Sequence, residues 1–341
     1  MDNIQQPIDF VITWMDPDDE NWRREKAKYW AEVIGDPTYD SNAVARFRDW
    51  GTFQYLFRGI EKFAPWVNHI YLVTWDTVPE WLNTEHPKIT CIKDRELIPQ
   101  ECVPAFSPNP VEINFHKIPG IAEHFVYFND DMFLLSAVTG EDFYHNGLPR
   151  EMAIPYHLTN SEGNNLFIHM VVSMMGVINS RFDFKQVKKE HFFKWFNLQY
   201  GRNLRTSLSM LGHRKLSGLV IPHLPSPMRK SVYKEVWAQV GERLDATQRH
   251  RFRDAMDMTQ YLFRYWSIMK GEFTPTNVFR YGKEFFMNDE GLNTLCGIIE
   301  AQSYKMLCIN DSKDIQDFEK CRDAVIQSFE KILPEKSAFE L

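Results

Sequence analysis

Cysteine is scarce and scattered. The 341 residues hold five, Cys91, Cys102, Cys296, Cys308 and Cys321, an odd number without a CxxC pair. That excludes a disulfide framework or a structural zinc cluster as the basis of the fold and points to a reducing, cytoplasmic setting, with the cysteines as small buried apolar groups. Long apolar runs are missing too, the longest covering residues 169–178, too short to span a bilayer. The opening MDNIQQPIDF has no basic cluster and no apolar stretch, so no secretory signal is expected. Positive charge is in deficit, with 39 Lys and Arg against 46 Asp and Glu and a formal charge of −7, which argues against non-specific nucleic-acid binding. No internal repeat and no low-complexity linker is visible.

Aromatic residues are plentiful, at 14% of the chain, within an ordinary 44% apolar and 25% charged composition. Such a chain can bury a large core and still carry a deep cleft. At about 150 residues per domain, its length suits two domains or one large α/β domain with an insertion.

The first half alternates short β-rich runs with helical stretches. IDFVITW (residues 8–14), HIYLVTW (69–75) and KITCIK (88–93) read as strands. FVYFNDDMFLL (125–135) reads as a strand, a polar interruption and a second short strand, and residues 152–157 as one more. Residues 40–63 hold a helical pattern with Phe53, Leu56, Phe57 and Ile60 on one face, stopped by Pro65, and 112–123 look partly helical. The alternation predicts a mostly parallel sheet with helices on both faces and ligand chemistry at the strand ends. The second half is more helical: 187–211, then 231–270 in two pieces, with PHLPSP (222–227) as a rigid loop between. A C-terminal helix carries Ile315, Phe318, Cys321, Val325, Phe329 and Ile332 at helical spacing.

Three polar clusters follow these runs. In TWMDPDD, Trp14 and Asp16 can hold a base or ribose beside Thr13, while Asp18 and Asp19 read as a turn and a helix cap. In RFRDWG, Arg46 and Arg48 with Asp49 between them and the helix suit a diphosphate, which guanidinium forks bind bidentately. In FNDDM, Asp130 and Asp131 stand directly after a hydrophobic strand. Adjacent carboxylates there need a partner, and Mg²⁺ or Mn²⁺ is the usual one. Weaker candidates are Glu112 and His116, four apart as on one helical face, His223 between prolines, Arg253 in RHRFRD, and Asp311 after the apolar run 304–309.

In order along the chain, IDFVITWMDPDD, RFRDWGTFQYLFRGIEKFAPWVNHIYLVTWDTVPEWL, NPVEINFHKIPGIAEHFVYFNDDMFL, HLPSPMRK and CINDS resemble the conserved regions of the Stealth family of bacterial capsular and exopolysaccharide phosphotransferases, related to the enzyme that makes the animal mannose-6-phosphate marker. The resemblance runs from about residue 8 to 312. It implies a GT-A-like or Rossmann-like α/β fold with a largely helical C-terminal part completing the active site. It also implies transfer of a sugar-1-phosphate from a nucleotide sugar, UDP-linked, to a sugar hydroxyl, with a phosphodiester product and UMP released. On family positions fall Asp16, Arg46, Arg48, Asp49, Glu112, His116, Asp130, Asp131, His223, Arg253 and Asp311. The family usually reads TWVDGSD where this chain has Met15, Pro17 and Asp18, and carries a further His where this chain has Asn114. Trp50 stands where a polar residue is common.

The expected roles follow. Asp130, Asp131 and Asp311 bind the divalent cation, Mg²⁺ or Mn²⁺. Arg48 and Arg253 clamp the diphosphate, with Thr13, Trp14, Asp16, Arg46 and Asp49 around the nucleotide. His223 is the first choice of general base, with Glu112 and His116 next. Residues 1–160 form the nucleotide-sugar-binding core, 161–300 a mainly helical acceptor region, and 301–341 a strand and helix packing back on the core. The partners are a nucleotide sugar and an oligosaccharide or polysaccharide acceptor, with no nucleic acid. The basic aromatic stretch 185–205 reads as a helix with a solvated face, with peripheral contact at the inner membrane or the capsule-assembly machinery as the alternative. A metal-dependent glycosyltransferase that releases UDP would need the same diphosphate clamp. A non-catalytic carbohydrate-binding protein would not need DD, RFRD and His223 together.

Overall fold

A computed structural model describes residues 6–33, 48–158 and 165–341 of the protein. In chain order its strands are β1 (Ile8–Thr13), β2 (Ile70–Thr74), β3 (Ile89–Lys93), β4 (His124–Asn129), β5 (Met132–Leu134), β6 (Tyr144–His145), β7 (Leu148–Glu151), β8 (Ser226–Arg229), β9 (Thr274–Pro275), β10 (Gly282–Phe286) and β11 (Met306–Asn310). The helices are α1 (Glu20–Val33), α2 (Phe53–Phe63), α3 (Asn109–Glu112), α4 (Gly140–Phe143), α5 (Leu166–Arg181), α6 (Phe184–Glu190), α7 (Phe192–Trp195), α8 (Leu204–Ser209), α9 (Lys230–Gln248), α10 (Tyr261–Met269), α11 (Leu292–Glu300) and α12 (Phe318–Ile332).

The first sheet has the order β3-β2-β1-β4-β8, parallel except for β8, which runs antiparallel to β4. β1, β2 and β4 are apolar on both faces because both are covered, whereas the edge strand β3 keeps Thr90 and Lys93 exposed. Val11, Tyr71, Val73, Phe125 and Tyr127 point into a core shared with α5, α9 and α10. Their neighbours Phe10, Ile12, Ile70, Leu72, Val126 and Phe128 point into a second core with α2, α11 and α12. Each fully buried Phe or Leu contributes about 1.5–3 kcal/mol, so the two faces together lock the strand order. The mostly parallel sheet with helices on both sides is the architecture expected from the alternating runs.

Register then places the polar ends. β1 and β4 pair so that Thr13 lies opposite Asn129. Two residues later the chain is in a different sheet: β5 pairs antiparallel with β11, Met132 opposite Cys308, and β10 lies parallel on the other side of β11. Asp130 and Asp131 are the whole connection between the two sheets. The third sheet, β6-β7-β9, is small.

Some elements differ from the expectation. The run 152–157 is not a strand: β7 ends at Glu151, and beyond it only Pro155 makes a bridge, to Leu219. Met152, Ala153 and Ile154 are apolar because they are buried, not because they are paired. The helix expected over 187–211 is broken into α6, α7, a 3₁₀ segment (Leu198–Asn203) and α8. His191 and Phe196 leave helical backbone angles and end α6 and α7, and Gly201 at φ 58°, a conformation other residues rarely adopt, interrupts the 3₁₀ segment. No helix among the described residues is long and apolar enough to cross a membrane.

β7, β8 and α10 are joined by one buried ion pair. The Arg264 guanidinium donates to both Glu151 oxygens, at 2.6 and 2.9 Å, and to Ser226 Oγ at 2.9 Å. Removing one partner leaves the other charge buried and unpaired. Glu151→Ala should therefore cost about 3–5 kcal/mol of stability, and the double change Glu151→Leu with Arg264→Met clearly less. Chemical denaturation checks this, and equal losses in the two variants would contradict it.

Candidate active site

The C-terminal ends of β1 and β4 flank the point where the strand order reverses, the place where open α/β sheets bind ligands. His223, in the loop before β8, reaches this point. Its Nε2 lies 3.2 Å from Asn129 Nδ2 and 3.6 Å from Asp131 Oδ2, and its Nδ1 lies 3.2 Å from the Tyr261 hydroxyl. Its backbone N–H donates to Glu284 Oε2 at 3.4 Å, and Glu284 Oε1 accepts from Asn310 at 3.4 Å. The Asp131 carbonyl accepts from the Ile309 N–H at 2.9 Å, which pins the aspartate turn to β11. β4, β10, β11 and α10 thus converge on one imidazole.

The electrostatics are those of a negative pocket. Burial, with Asp131 and then Asp49 adding repulsion, pushes the Asp130 carboxyl up to about 7. Burial also raises Glu284, with Asp131 adding to it and His223 opposing. For His223 burial pulls the pKa down, but Asp131, Glu284 and Glu112 together outweigh it and the net shift is upward. The Cys308 thiol is pushed well up by burial and by Asp131 and Glu284, so it stays protonated. Oδ1 of Asp131 and Oδ1 of Asn129 are buried without a hydrogen-bond donor. Buried acceptors of this kind suit a cation or a hydroxyl donor.

Glu112 sits behind this centre. It is buried, with Oε1 accepting from the Tyr127 hydroxyl at 3.0 Å and Oε2 from the Gln260 N–H at 3.3 Å. Thr13 Oγ1 lies 3.0 Å from the same Tyr127 hydroxyl, so the end of β1 is tied to Glu112 through Tyr127. Burial raises the Glu112 pKa, and the nearby Arg253 and His223 charges oppose the rise. Arg253 therefore lies within electrostatic reach of Glu112.

His116 does not join them. α3 ends at Glu112, and His116 lies in a separate 3₁₀ turn (Phe115–Lys117), its ring 5.8 Å from Tyr233 and 6.1 Å from Trp237 on α9. The shared helical face expected of Glu112 and His116 is absent because the helix stops between them. Burial, with Lys117, Lys234 and Lys230 adding, lowers His116 to about 4. Asn114, where the family carries a further His, is fully buried and donates to Pro110 O at 2.9 Å and Gln248 Oε1 at 2.7 Å, a structural clamp.

Asp311, expected as a third ligand, is placed against Arg48: its two oxygens accept from Arg48 at 2.8 and 2.5 Å, and Arg48 donates further to Ser312 O at 2.6 Å. Asp49 caps Gly51 N–H at 2.7 Å and is close enough to raise Asp130. Arg46 lies outside the described residues. Trp14 stacks parallel on Phe53 at 5.8 Å. Asp16 Oδ1 accepts from Asp18 N–H at 2.8 Å, and Asp19 caps α1 through the N–H groups of Asn21 and Trp22 at 2.8 and 3.0 Å, as the turn-and-cap reading expects.

Beside this loop, at the ends of β2 and β3, lies a pocket of about 290 Å³ lined by Asn21, Arg24, Trp75, Asp76, Asp94 and Arg95 among others. Trp75 stacks on Phe106 at 5.5 Å, and Lys93 and Arg95 both pair with Asp76. Burial pushes Asp94 up to about 7.

Ligand atoms of Asp131, His223 and Cys308 lie within 4.8 Å of one another. The unpartnered Asp131 oxygen and the raised Asp130 fit a divalent cation. With Cys308 held as a thiol and His223 raised toward its charged form, the carboxylate oxygens are the donors left for such a cation. A second group, His250, Asp254 and Asp257, is a satisfied knot: Asp257 already takes His250 Nδ1 at 2.7 Å, Asn109 at 2.8 Å and Asp254 N–H at 3.0 Å.

Tyr261, Glu284, Cys308 and Asn129 were not legible as site residues. Only Asn129, adjoining the two aspartates, carried a signal. The others arrive through strand pairing and helix packing across more than 90 residues of chain.

Two family models match, Stealth protein CR2, conserved region 2, over residues 46–151 and Stealth protein CR3, conserved region 3, over residues 222–266. Glu112, Asp130, Asp131, His223, Arg253 and Tyr261 fall within them. The capsular polysaccharide phosphotransferase WcwK of Streptococcus pneumoniae is 35% identical over 340 residues, 100% of this chain and 99% of its own. The exopolysaccharide phosphotransferase cps2G of Lactiplantibacillus plantarum is 36% identical over 335 residues, 98% of this chain and 96% of its own. The receptor polysaccharide phosphotransferase WefC of Streptococcus gordonii is 36% identical over 341 residues, 98% of this chain and 99% of its own. Among solved structures the galactosyltransferase LgtC aligns over 94% of this chain and 95% of its own at 9% identity, with a TM-score of 0.38, too distant to bear on fold or chemistry.

The raised Asp94 predicts a pH signature. A carboxyl whose folded pKa lies above its unfolded value contributes stability at low pH that is lost as pH rises through about 7. Asp94→Asn should match the wild type below the ordinary carboxylate range and be more stable than it at pH above 7. Urea denaturation across pH measures the difference, and a gap that does not widen with pH would contradict the assignment.

Proposed function

The chain belongs to the Stealth family, and from that premise we propose that it is a phosphotransferase moving a sugar-1-phosphate from a UDP-sugar to a saccharide hydroxyl in capsular or exopolysaccharide synthesis. The acceptor oxygen attacks the phosphorus next to the sugar, the bond to the UMP oxygen breaks, and the phosphate stays between two sugars. The observation that carries this reading is His223 held between Asp131 and Tyr261 at a carboxylate-rich turn with unpartnered acceptor oxygens.

Proton transfer falls to His223. Tyr261 fixes the ring at Nδ1, and Asp131 stabilises the imidazolium formed when the acceptor hydroxyl gives up its proton. Glu112 is less suited, because both its oxygens are engaged and it is buried. Its place is behind the centre, balancing the charges of Arg253 and His223. His116 packs instead against Tyr233 and Trp237 of α9.

Asp131, with Asp130 beside it, would hold the divalent cation, Mg²⁺ or Mn²⁺. That ion supplies positive charge to the diphosphate when bound. The pocket at Trp75 and Asp94 is the proposed seat of the nucleoside, with Trp14 and the Asp16 turn between it and the diphosphate. Arg253 is the proposed phosphate contact on the acceptor side, and Arg48 reaches the same region in the geometry that Asp311 sets. The reaction draws on a cytoplasmic nucleotide sugar.

Incubation with UDP-sugars and an oligosaccharide acceptor, followed by separation of the nucleotides, tests the reading. UMP with a phosphodiester in the glycan is expected, whereas stoichiometric UDP with a phosphate-free linkage would replace this function by ordinary glycosyl transfer. His223→Ala should lower kcat by about 10²–10⁴ while the nucleotide sugar still binds. Loss of binding with kcat intact would make His223 a binding residue instead.

A further inference from the structure

Residues 185–215 invert the charge of the molecule. They hold eight Lys and Arg against a single acid, Glu190, in a chain whose total is −7. Exposed apolar side chains collect in the same stretch. Of twelve large hydrophobic side chains exposed among the described residues, five are here, Phe192, Phe193, Leu198, Leu208 and Leu211, in under a tenth of the sequence. Phe193 is 82% exposed and Leu198 85%.

The exposure is not that of a loose segment. Phe184, Trp195 and Tyr200 are fully buried beneath it. The Tyr200 hydroxyl donates to Lys194 O at 2.6 Å and accepts from Ala153 N–H at 3.2 Å. Lys194 Nζ donates to Gly271 O at 2.6 Å and Phe273 O at 2.8 Å. Between Phe193 and Leu198, Asn197 donates to Phe193 O at 3.1 Å and accepts from Gln199 N–H at 3.0 Å. A braced turn therefore holds two apolar tips out in water, with Lys185, Lys189, Arg202 and Arg205 exposed nearby.

We propose that this braced turn docks the protein on an anionic lipid surface. Phe193 and Leu198 enter the headgroup boundary, and the surrounding cations face lipid phosphates. Charge selects this occupant over a second copy of the chain, because a two-fold contact through the same patch would set its positive charges against each other. The inference does not depend on the transfer reaction.

Flotation of the full chain with phosphatidylglycerol-containing vesicles, and with phosphatidylcholine vesicles as control, tests it. Binding to the anionic vesicles only, weakened by high salt, is expected, and this readout needs no variant. Phe193→Ser with Leu198→Ser should abolish flotation with circular dichroism and melting unchanged. Reversal of Lys185, Lys189, Arg202 and Arg205 to Glu should lower partitioning more than about a hundredfold, since each cation near such a surface is worth roughly fivefold. Failure of the wild type to float with anionic vesicles would overturn the proposal. So would equal flotation of the wild type and both folded variants, or a wild-type dimer that the serine variant dissolves while neither binds lipid.

Discussion

Two adjacent carboxylates carry the chain from one sheet into another, and the rest of the centre is arranged around that step. Asp130 and Asp131 cannot relax apart, because β4 is locked to β1 on one side and β5 to β11 on the other. Asp131 is half-buried and Asp130 lies at the surface beside it, and the repulsion between them contributes to the raised Asp130. Carboxylates so placed are costly unless positive charge reaches them. The imidazole of His223 supplies part of it, and a bound cation would supply the remainder. A simple turn between strands would not leave the buried Asp131 Oδ1 unpartnered.

The same geometry separates roles among residues of like chemistry. The four acids that the sequence offers sit in different environments. Asp131 faces His223, Asp130 is raised by burial and repulsion, Glu112 is tied down by two donors, and Asp311 is committed to Arg48. Of the two histidines that sequence spacing offers, one is held by Asp131 and Tyr261, while the other is driven to its neutral form by burial beside lysines. Residue type nominates such groups; only their partners assign them work.

Much of the architecture was legible because β1, β2 and β4 are short apolar runs with polar residues directly behind them, the signature of strands buried on both faces, and the edge strand β3 carries a β-branched run of its own. The aspartate turn, the capping role of Asp19 and the amphipathic α12 were legible for equally local reasons. What could not be read required long-range pairing. Arg48 and Asp311 lie 263 residues apart. Glu284 and Cys308 meet Asp131 only because β10 and β11 are parallel neighbours beside β5. The helix over 187–211 fails at His191, Phe196 and Gly201, where the chain turns to bury Trp195 and Tyr200. The 152–157 run misled because burial alone, without strand pairing, also selects apolar residues.

The claim that the Asp130–Asp131 turn is completed by a divalent cation is open to direct measurement. Mn²⁺ can be titrated into the protein and the free ion followed by electron paramagnetic resonance. The account predicts one tight site per chain in the wild type, lost in Asp131→Asn and retained in Asp311→Asn. Equal Mn²⁺ binding by the wild type and Asp131→Asn, or loss in Asp311→Asn instead, would contradict it.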